Sequence, residues 1–362
     1  MKKTNILKFS LLCIALLYFL LLIIPLALYG ISPNRRKNSA NPLAESIPAD
    51  NSHEEYNKIP DFLSESAFSP ISSYHKENEE IIFKIYDESS NQELSVSAKE
   101  FLYAAVACEM PLSAPDEALK AQAVAAYTYY IREKNNNSGG ADFTCNSDEW
   151  LTYVTKEKMK ERWGDDFDTY YQRLESIIDS VYGQIIVKNN EPICATYFAI
   201  SSGSTETSEN VWGGNLPYLQ TVASPGDAMA DGYLSSMKFT AEDIENLLKK
   251  ALPETVFDFS SPKSEWFQNQ KTSSAGYTIS IEVCGSEIHG TKLRTSLSLS
   301  STCFDISFDE PYFTFSVRGR GHGVGLSQAG AMFMAQHGNT YTEILSHYYP
   351  ETVIKNFYSN LF

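Results

Sequence analysis

Basic residues are scarce in this chain. Its 362 residues hold 29 Lys and Arg against 45 Asp and Glu, a net charge of −16. No Lys/Arg cluster lies outside the flanks of an N-terminal apolar run. Phosphate binding needs such clusters, so nucleic acid is excluded as a partner. Cysteine is scarce too. There are six, and Cys13 lies in the apolar run, which leaves five. An odd number cannot complete a disulfide framework in a monomer, so the fold is not stapled like a small secreted module. Cys108, Cys194 and Cys284 sit among apolar neighbours and read as buried thiols. No internal repeat is present, which excludes a solenoid. The glycine-rich segment near the C-terminus has neither G-x-G-x-x-G nor Gly-Lys-Ser/Thr spacing, so it is no nucleotide cradle.

Residues 9–29 are apolar apart from Ser10, a run of 21 residues preceded by Lys2, Lys3 and Lys8. That length spans a bilayer, and no small-x-small cleavage site follows it. The expectation is a retained transmembrane anchor over 1–30. Residues 31–78 are rich in Asn, Ser, Pro and Glu without periodicity and read as a disordered acidic linker. The remaining 79–362 suffice for one large domain or two small lobes.

Within that domain the pattern is α+β: mixed strands with flanking helices, arranged as one body or as two lobes around a cleft. Residues 81–87 and 92–96 read as a hairpin. Ser97 caps a helix that Pro111 stops, and Ser113 caps a second helix running to about Glu133. Helix is also expected over 146–182 and over 240–251, the latter with a Thr240/Asp243 capping pair. Strands are expected at 183–187, 193–200, 277–283, 293–299 and 312–317.

The most informative stretch is VRGRGHGVGLSQAGAMFMAQHGNTYTEILSHYYP, residues 317–350. A strand feeds a turn with glycine at 319, 321, 323 and 325, which presents His322 and enters a helix near Ser327. Glycine at alternate positions lets the backbone take positive φ or approach a ligand closely. The other notable residue is Glu109, at the end of the apolar helix LYAAVAC and just before Met-Pro. A carboxyl there meets the negative end of the helix dipole and loses water to apolar neighbours. Both effects are expected to raise its pKa, as a general acid near neutral pH requires. The plain alternative is a solvated helix-end carboxylate.

The 317–350 stretch resembles the C-terminal signature of the stage II sporulation protein D and LytB amidase-enhancer family. Three more stretches match that family in order: EMPLSAPDEALKAQAVAAYTY (109–129), ATYFAISSGSTETSENVWGGNLPYLQTV (195–222) and GTKLRTSLSLSSTCF (290–304). The resemblance implies a lytic transglycosylase acting on peptidoglycan glycan strands during endospore engulfment. It implies a single-pass cell-membrane protein with its catalytic domain outside the cytoplasm, and a sporulation amidase as partner. Glu109 matches the family's catalytic acid. Ser202, Gly203 and Thr205 supply hydroxyls and flexible backbone, or only a polar turn. Trp212 and Tyr218 stack on sugar rings or belong to the core. His322 orients substrate or satisfies nearby backbone. Ser327 and Gln328 are candidates for sugar hydroxyls. Should water be the acceptor instead, a second carboxylate is needed, with Glu206, Glu209 and Asp116 as candidates.

Two positions depart from the family. Tyr127 stands where relatives carry an arginine linked to activity. It is still counted among the substrate-binding candidates, as a hydrogen-bond donor without the fixed charge. Some relatives also bind zinc through a Cys and a His-Cys pair. Here only Cys145 matches, with Glu149 and Trp150 where His and Cys would fall, so no cofactor or metal is expected. The competing function is a non-catalytic glycan-binding enhancer of a cell-wall amidase.

Overall fold

A computed structural model of the chain describes residues 80–136 and 140–357. The expected anchor and linker lie outside the described residues. Among those described, no helix is long and apolar enough to cross a membrane.

The fold is mixed α and β, with its strands in several small sheets. The hairpin forms as expected: β1 (Ile82–Asp87) and β2 (Gln92–Ser97) pair antiparallel. Helix α1 (Ala98–Glu109) follows, with the Ser97 side chain accepting from the Glu100 amide. It ends because Pro111 disfavours helical backbone at the preceding residue, and Met110 is accordingly extended at φ −134° and ψ 145°. Helix α2 (Asp116–Asn136) begins later than its expected cap. Ser113 is exposed in the turn before it, and the Pro115 carbonyl accepts from Ala118 and Leu119.

The continuous helix expected from 146 is broken. Strand β3 (Phe143–Cys145) joins β1 in parallel, and the chain then turns with Trp150 and Thr152 at φ 59° and 66°. Only afterwards come α3 (Lys156–Trp163), capped by Thr155, and α4 (Phe167–Val181). Gly164, at φ 52°, separates the two. Next, β4 (Gln184–Lys188) pairs with β5 (Glu191–Pro192). The strand expected over 193–200 shrinks to β6 (Tyr197–Phe198). The amides of Ala195 and Thr196 bond locally to Ile193 and Cys194 carbonyls and so cannot extend the ladder.

After the short α5 (Ser208–Trp212), the chain builds a β-rich part. It contains β7 (Leu234–Thr240), α6 (Ala241–Ala251), β8 (Phe267–Thr272), β9 (Thr278–Val283) and β10 (Ser286–His289). Helix α6 has the expected capping box of Thr240 and Asp243. The strand expected over 293–299 is instead α7 (Gly290–Ser296). Its leucines mislead because Leu293 and Leu297, both buried, are four apart; that spacing fits alternation and a helix face equally. Strands β11 (Phe304–Asp309) and β12 (Tyr312–Arg318) complete this part, with β12 between β11 and β7. Its core is aromatic and aliphatic, with Trp266, Ile281, Phe304, Phe313 and Phe315 at the centre.

The chain then returns to the helices. Strand β13 (Leu326–Ser327) pairs in parallel with β6, followed by α8 (Gln328–Gln336) and α9 (Tyr341–Tyr348). Strand β14 (Val353–Asn356) closes on β4. The five described cysteines are free thiols. Burial pushes Cys194 and Cys284 up to about 12, while Cys108 is partly exposed.

Candidate active site

Glu109 is the last residue of α1 and is half-buried. What faces it comes from the far end of the chain. Gln328, the first residue of α8, donates from Nε2 to Glu109 Oε2 at 3.1 Å. The same nitrogen lies 3.4 Å from Oε1 of Gln122 on α2, a side chain with no exposed surface. The carboxyl therefore accepts from an amide at a meeting point of three helices.

Gln328 is placed by the residue before it. Ser327 Oγ caps α8 by accepting from the Gly330 amide and donates to Asp227 Oδ2 at 2.7 Å. Asp227 is fully buried and also accepts from the Ser201 amide at 2.7 Å and from Ser224 Oγ at 3.2 Å. Ser224 Oγ in turn lies 2.6 Å from the Tyr348 hydroxyl. Burial pushes the Asp227 carboxyl up, against the pull of the Ser201, Ser327 and Ser224 hydrogen bonds. This node ties the loop after β6 to the start of α8 and to α9.

The glycine turn brings 320–325 against β6. Gly325 has φ 85°, and a Cβ there would lie 2.1 Å from the Thr196 carbonyl oxygen, so no other residue fits. His322 is buried and spends both ring nitrogens on backbone. Nδ1 accepts from the Val324 amide at 3.1 Å, so Nε2 carries the proton and donates to the Tyr197 carbonyl at 3.1 Å. Trp212 and Phe198 pack on the ring, with centroids at 5.1 and 5.5 Å.

Several expected binding residues are buried or hydrogen-bonded within the protein. Ser327 is fully buried, and its hydroxyl is spent on α8 and Asp227. His322 fixes backbone, and Trp212 packs beneath it. The Tyr218 hydroxyl accepts from the Cys194 amide at 3.1 Å, inside the core. Thr205 has no exposed surface and bonds the Gln220 carbonyl and the Val222 amide. Ser202 and Gly203 are partly exposed, but Ser202 is held by Tyr277 and the Ala275 carbonyl. Gly203 takes φ 112° with open space around its Cα.

Tyr127 is also placed in the core. It is 1% exposed and packs on Tyr182 and Phe357, with ring centroids at 5.5 and 6.4 Å. Five residues beyond Gln122, it points about 140° away around α2. The three candidate second carboxylates have different surroundings. Glu206 is 1% exposed and its Oε1 accepts from Thr207 and Asn210. Asp116 pairs with Arg173 at the surface, and Glu209 is exposed on α5.

The residues around Cys145 do not form a zinc set. Cys145 is buried at the end of β3, Glu149 is exposed, and the Trp150 indole lies under the Arg162 guanidinium at 4.2 Å. An indole offers no lone pair to a metal. Among the described residues, no group of three or more His, Cys, Asp and Glu is placed to hold an ion.

Two residues were missed from sequence. Asp227 stands in SPGDAMADG, a loop of turn residues with no motif. Gln122 carried a signal that went unread: a polar side chain inside an alanine-rich helix that has few other polar groups to bury.

A family model described as "Stage II sporulation protein" matches residues 86–187, which include Glu109 and Gln122. The chain is 32% identical over 275 residues to "Stage II sporulation protein D" of Bacillus subtilis (strain 168), covering 75% of this chain and 78% of that one. It is 30% identical over 272 residues to the protein of the same name from Bacillus amyloliquefaciens, covering 73% and 76%. An "Amidase enhancer" of Bacillus subtilis is 25% identical over 306 residues, which is 69% of this chain and 39% of that protein.

Proposed function

The chain belongs to the stage II sporulation protein D family, and we propose that it is a membrane-anchored lytic transglycosylase of peptidoglycan glycan strands. The observation that carries this reading is Glu109: a half-buried carboxyl at a helix end that accepts from the Gln328 amide of α8. Of the other candidate carboxylates, Glu206 is buried and Asp116 is paired with Arg173, while Glu209 is exposed on α5, which favours a reaction that needs only one.

In that reaction Glu109 donates its proton to the glycosidic oxygen between N-acetylmuramic acid and N-acetylglucosamine as the bond to C1 breaks. The resulting carboxylate accepts the proton of the muramic acid C6 hydroxyl as O6 closes onto C1. Glu109 ends protonated as it began, the product carries a 1,6-anhydro end, and no water is consumed. We assign no metal or cofactor to the reaction. Strands already stripped of stem peptides are the proposed substrate, supplied by a sporulation amidase. The segment 9–29 is the proposed anchor, with the domain outside the cytoplasm.

A second reading rests on Tyr127. Its burial among Tyr182 and Phe357 leaves no cation at the position where relatives carry arginine. A glycan-binding enhancer of an amidase would not need that charge. Mass spectrometry of peptide-free strands incubated with the protein and with Glu109→Gln separates the two. Anhydro-ended fragments from the first alone support the transglycosylase. Reducing ends would mean hydrolysis, and strands bound but uncut would favour the enhancer.

A further inference from the structure

A general acid that becomes a base within one cycle presents its surroundings with two different needs. As a carboxylate, Glu109 wants a donor; as a carboxylic acid, it wants an acceptor for its O–H. A fixed cation or backbone amide serves only the first form. A primary amide can serve either form. Gln328 is a primary amide, and behind it stands a second one, Gln122, at 3.4 Å.

As arranged in the structure, both amides suit the carboxylate. Gln328 turns its nitrogen to Glu109 and, with the second hydrogen of that nitrogen, meets Gln122 Oε1. This leaves Gln122 Nε2, on a side chain with no exposed surface, without a hydrogen-bond partner among the described residues. A buried amide N–H2 without an acceptor is costly, and more so than a carbonyl with spare capacity. Turning both amides over exchanges every donor and acceptor. Gln122 Nε2 then donates to Gln328 Oε1, and that same oxygen accepts the O–H of a protonated Glu109. The idle nitrogen is put to use only in this inverted arrangement.

We propose that Gln122 and Gln328 form a two-amide relay that inverts with the protonation state of Glu109. It offers a donor to the carboxylate and an acceptor to the acid. Both are positioning residues: Gln328 acts on Glu109 directly, and Gln122 acts through Gln328. The inference rests on the reading of Glu109 as acid and base. The relay moves no proton of its own; each amide keeps its hydrogens and rotates about its last side-chain torsion.

The test uses the full chain with glutamine side-chain amides labelled with nitrogen-15, followed by NMR across pH. Two amide signals should shift together with one midpoint, and both should lose that midpoint in Glu109→Gln. Kinetics on peptide-free glycan strands supply the second readout. Gln122→Met should lower kcat by about ten- to a hundredfold while leaving KM nearly unchanged. The Gln122→Met/Gln328→Met double variant should lose no more than the worse single one, because the pair acts as a unit. A Gln122 signal that ignores Glu109, or full kcat in Gln122→Met, overturns the relay. Should the amides follow Glu109 while no strand is cut, the relay stands and the transglycosylase reading falls. Should Glu109-dependent cutting occur with the amides silent, the reverse holds.

Discussion

The helical part of the molecule and its β-rich part, 234–318, bury different kinds of side chain. The β-rich core is mainly hydrocarbon and aromatic, from Phe239 to Val317, though it also buries Arg294, whose Nε donates to the Leu299 carbonyl. Its capped or paired carboxylates lie outside. Asp243, Asp258 and Glu287 are exposed, and hydrogen bonds from Thr240, from Ser260, and from Lys271 and Ser280 hold them below the usual range. The helical part and its adjoining loops instead take polar groups inside: Gln122, Arg132, Glu206 and Asp227 are each nine-tenths or more buried. A protein spends stability on buried polar groups only where their directionality is needed. On the proposed reading of Glu109 the chemistry lies among the helices, and the β-rich part meets the 201–205 loop through Tyr277. The Tyr277 hydroxyl accepts from the Ser202 amide and donates to the Ser204 carbonyl.

The sharpest way to break this division is to cut each part at its centre. Glu109→Gln should lower turnover by about 100- to 10,000-fold while moving stability by less than about 0.5 kcal/mol. Phe315→Ala should do the opposite, costing about 3–5 kcal/mol in denaturant unfolding with little loss of kcat per folded molecule. Equal damage to activity from both would mean that the β-rich part belongs to the site.

Restoring the family's cation tests the core placement of position 127. Tyr127→Arg should destabilise by more than about 3 kcal/mol, because it inserts a charge among Tyr182 and Phe357. A stable, more active Tyr127→Arg protein would show that this position opens toward substrate. Tyr277→Phe probes the joint between the parts. Losing both hydrogen bonds of that hydroxyl should cost about 1–3 kcal/mol and loosen the 201–205 loop, readable as faster amide exchange there.

A further effect should appear only with pH. Burial pushes the Glu133 carboxyl from 4.5 up to about 7, against the pull of Arg132 beside it, and its Oε1 has no partner among the described residues. The folded chain therefore holds this proton longer than the unfolded one. Its contribution to stability is present below about 4.5, falls as pH rises toward 7, and is flat beyond. Glu133→Gln should remove that decline and raise Tm more at about pH 8 than at about pH 5. A parallel shift at both pH values would refute the assignment.

Local chemistry was legible wherever a few neighbouring residues decide the backbone. Ser97 at a cap, the Thr240/Asp243 box, Pro111 ending α1 and the positive φ of the alternate glycines all follow from steric and hydrogen-bonding rules over four or five residues. Errors arose where one pattern admits two structures, as with the leucines of α7, or where a turn interrupts a helical composition, as at Trp150 and Thr152.

Order along the chain was enough to identify the family and to single out Glu109 as a candidate, because a motif is a local object. The partners of Glu109 were not local. Gln328 is separated from it by 219 positions and from Gln122 by 206, and Ser327 from Asp227 by 100. The same folding took Tyr127, His322, Trp212 and Tyr218 from candidate sugar contacts into packed or backbone-bonded places. A hydrogen bond requires two atoms within about 3 Å in a defined direction. Which distant side chains meet that condition depends on how helices and sheets pack, and only the tertiary structure decides it.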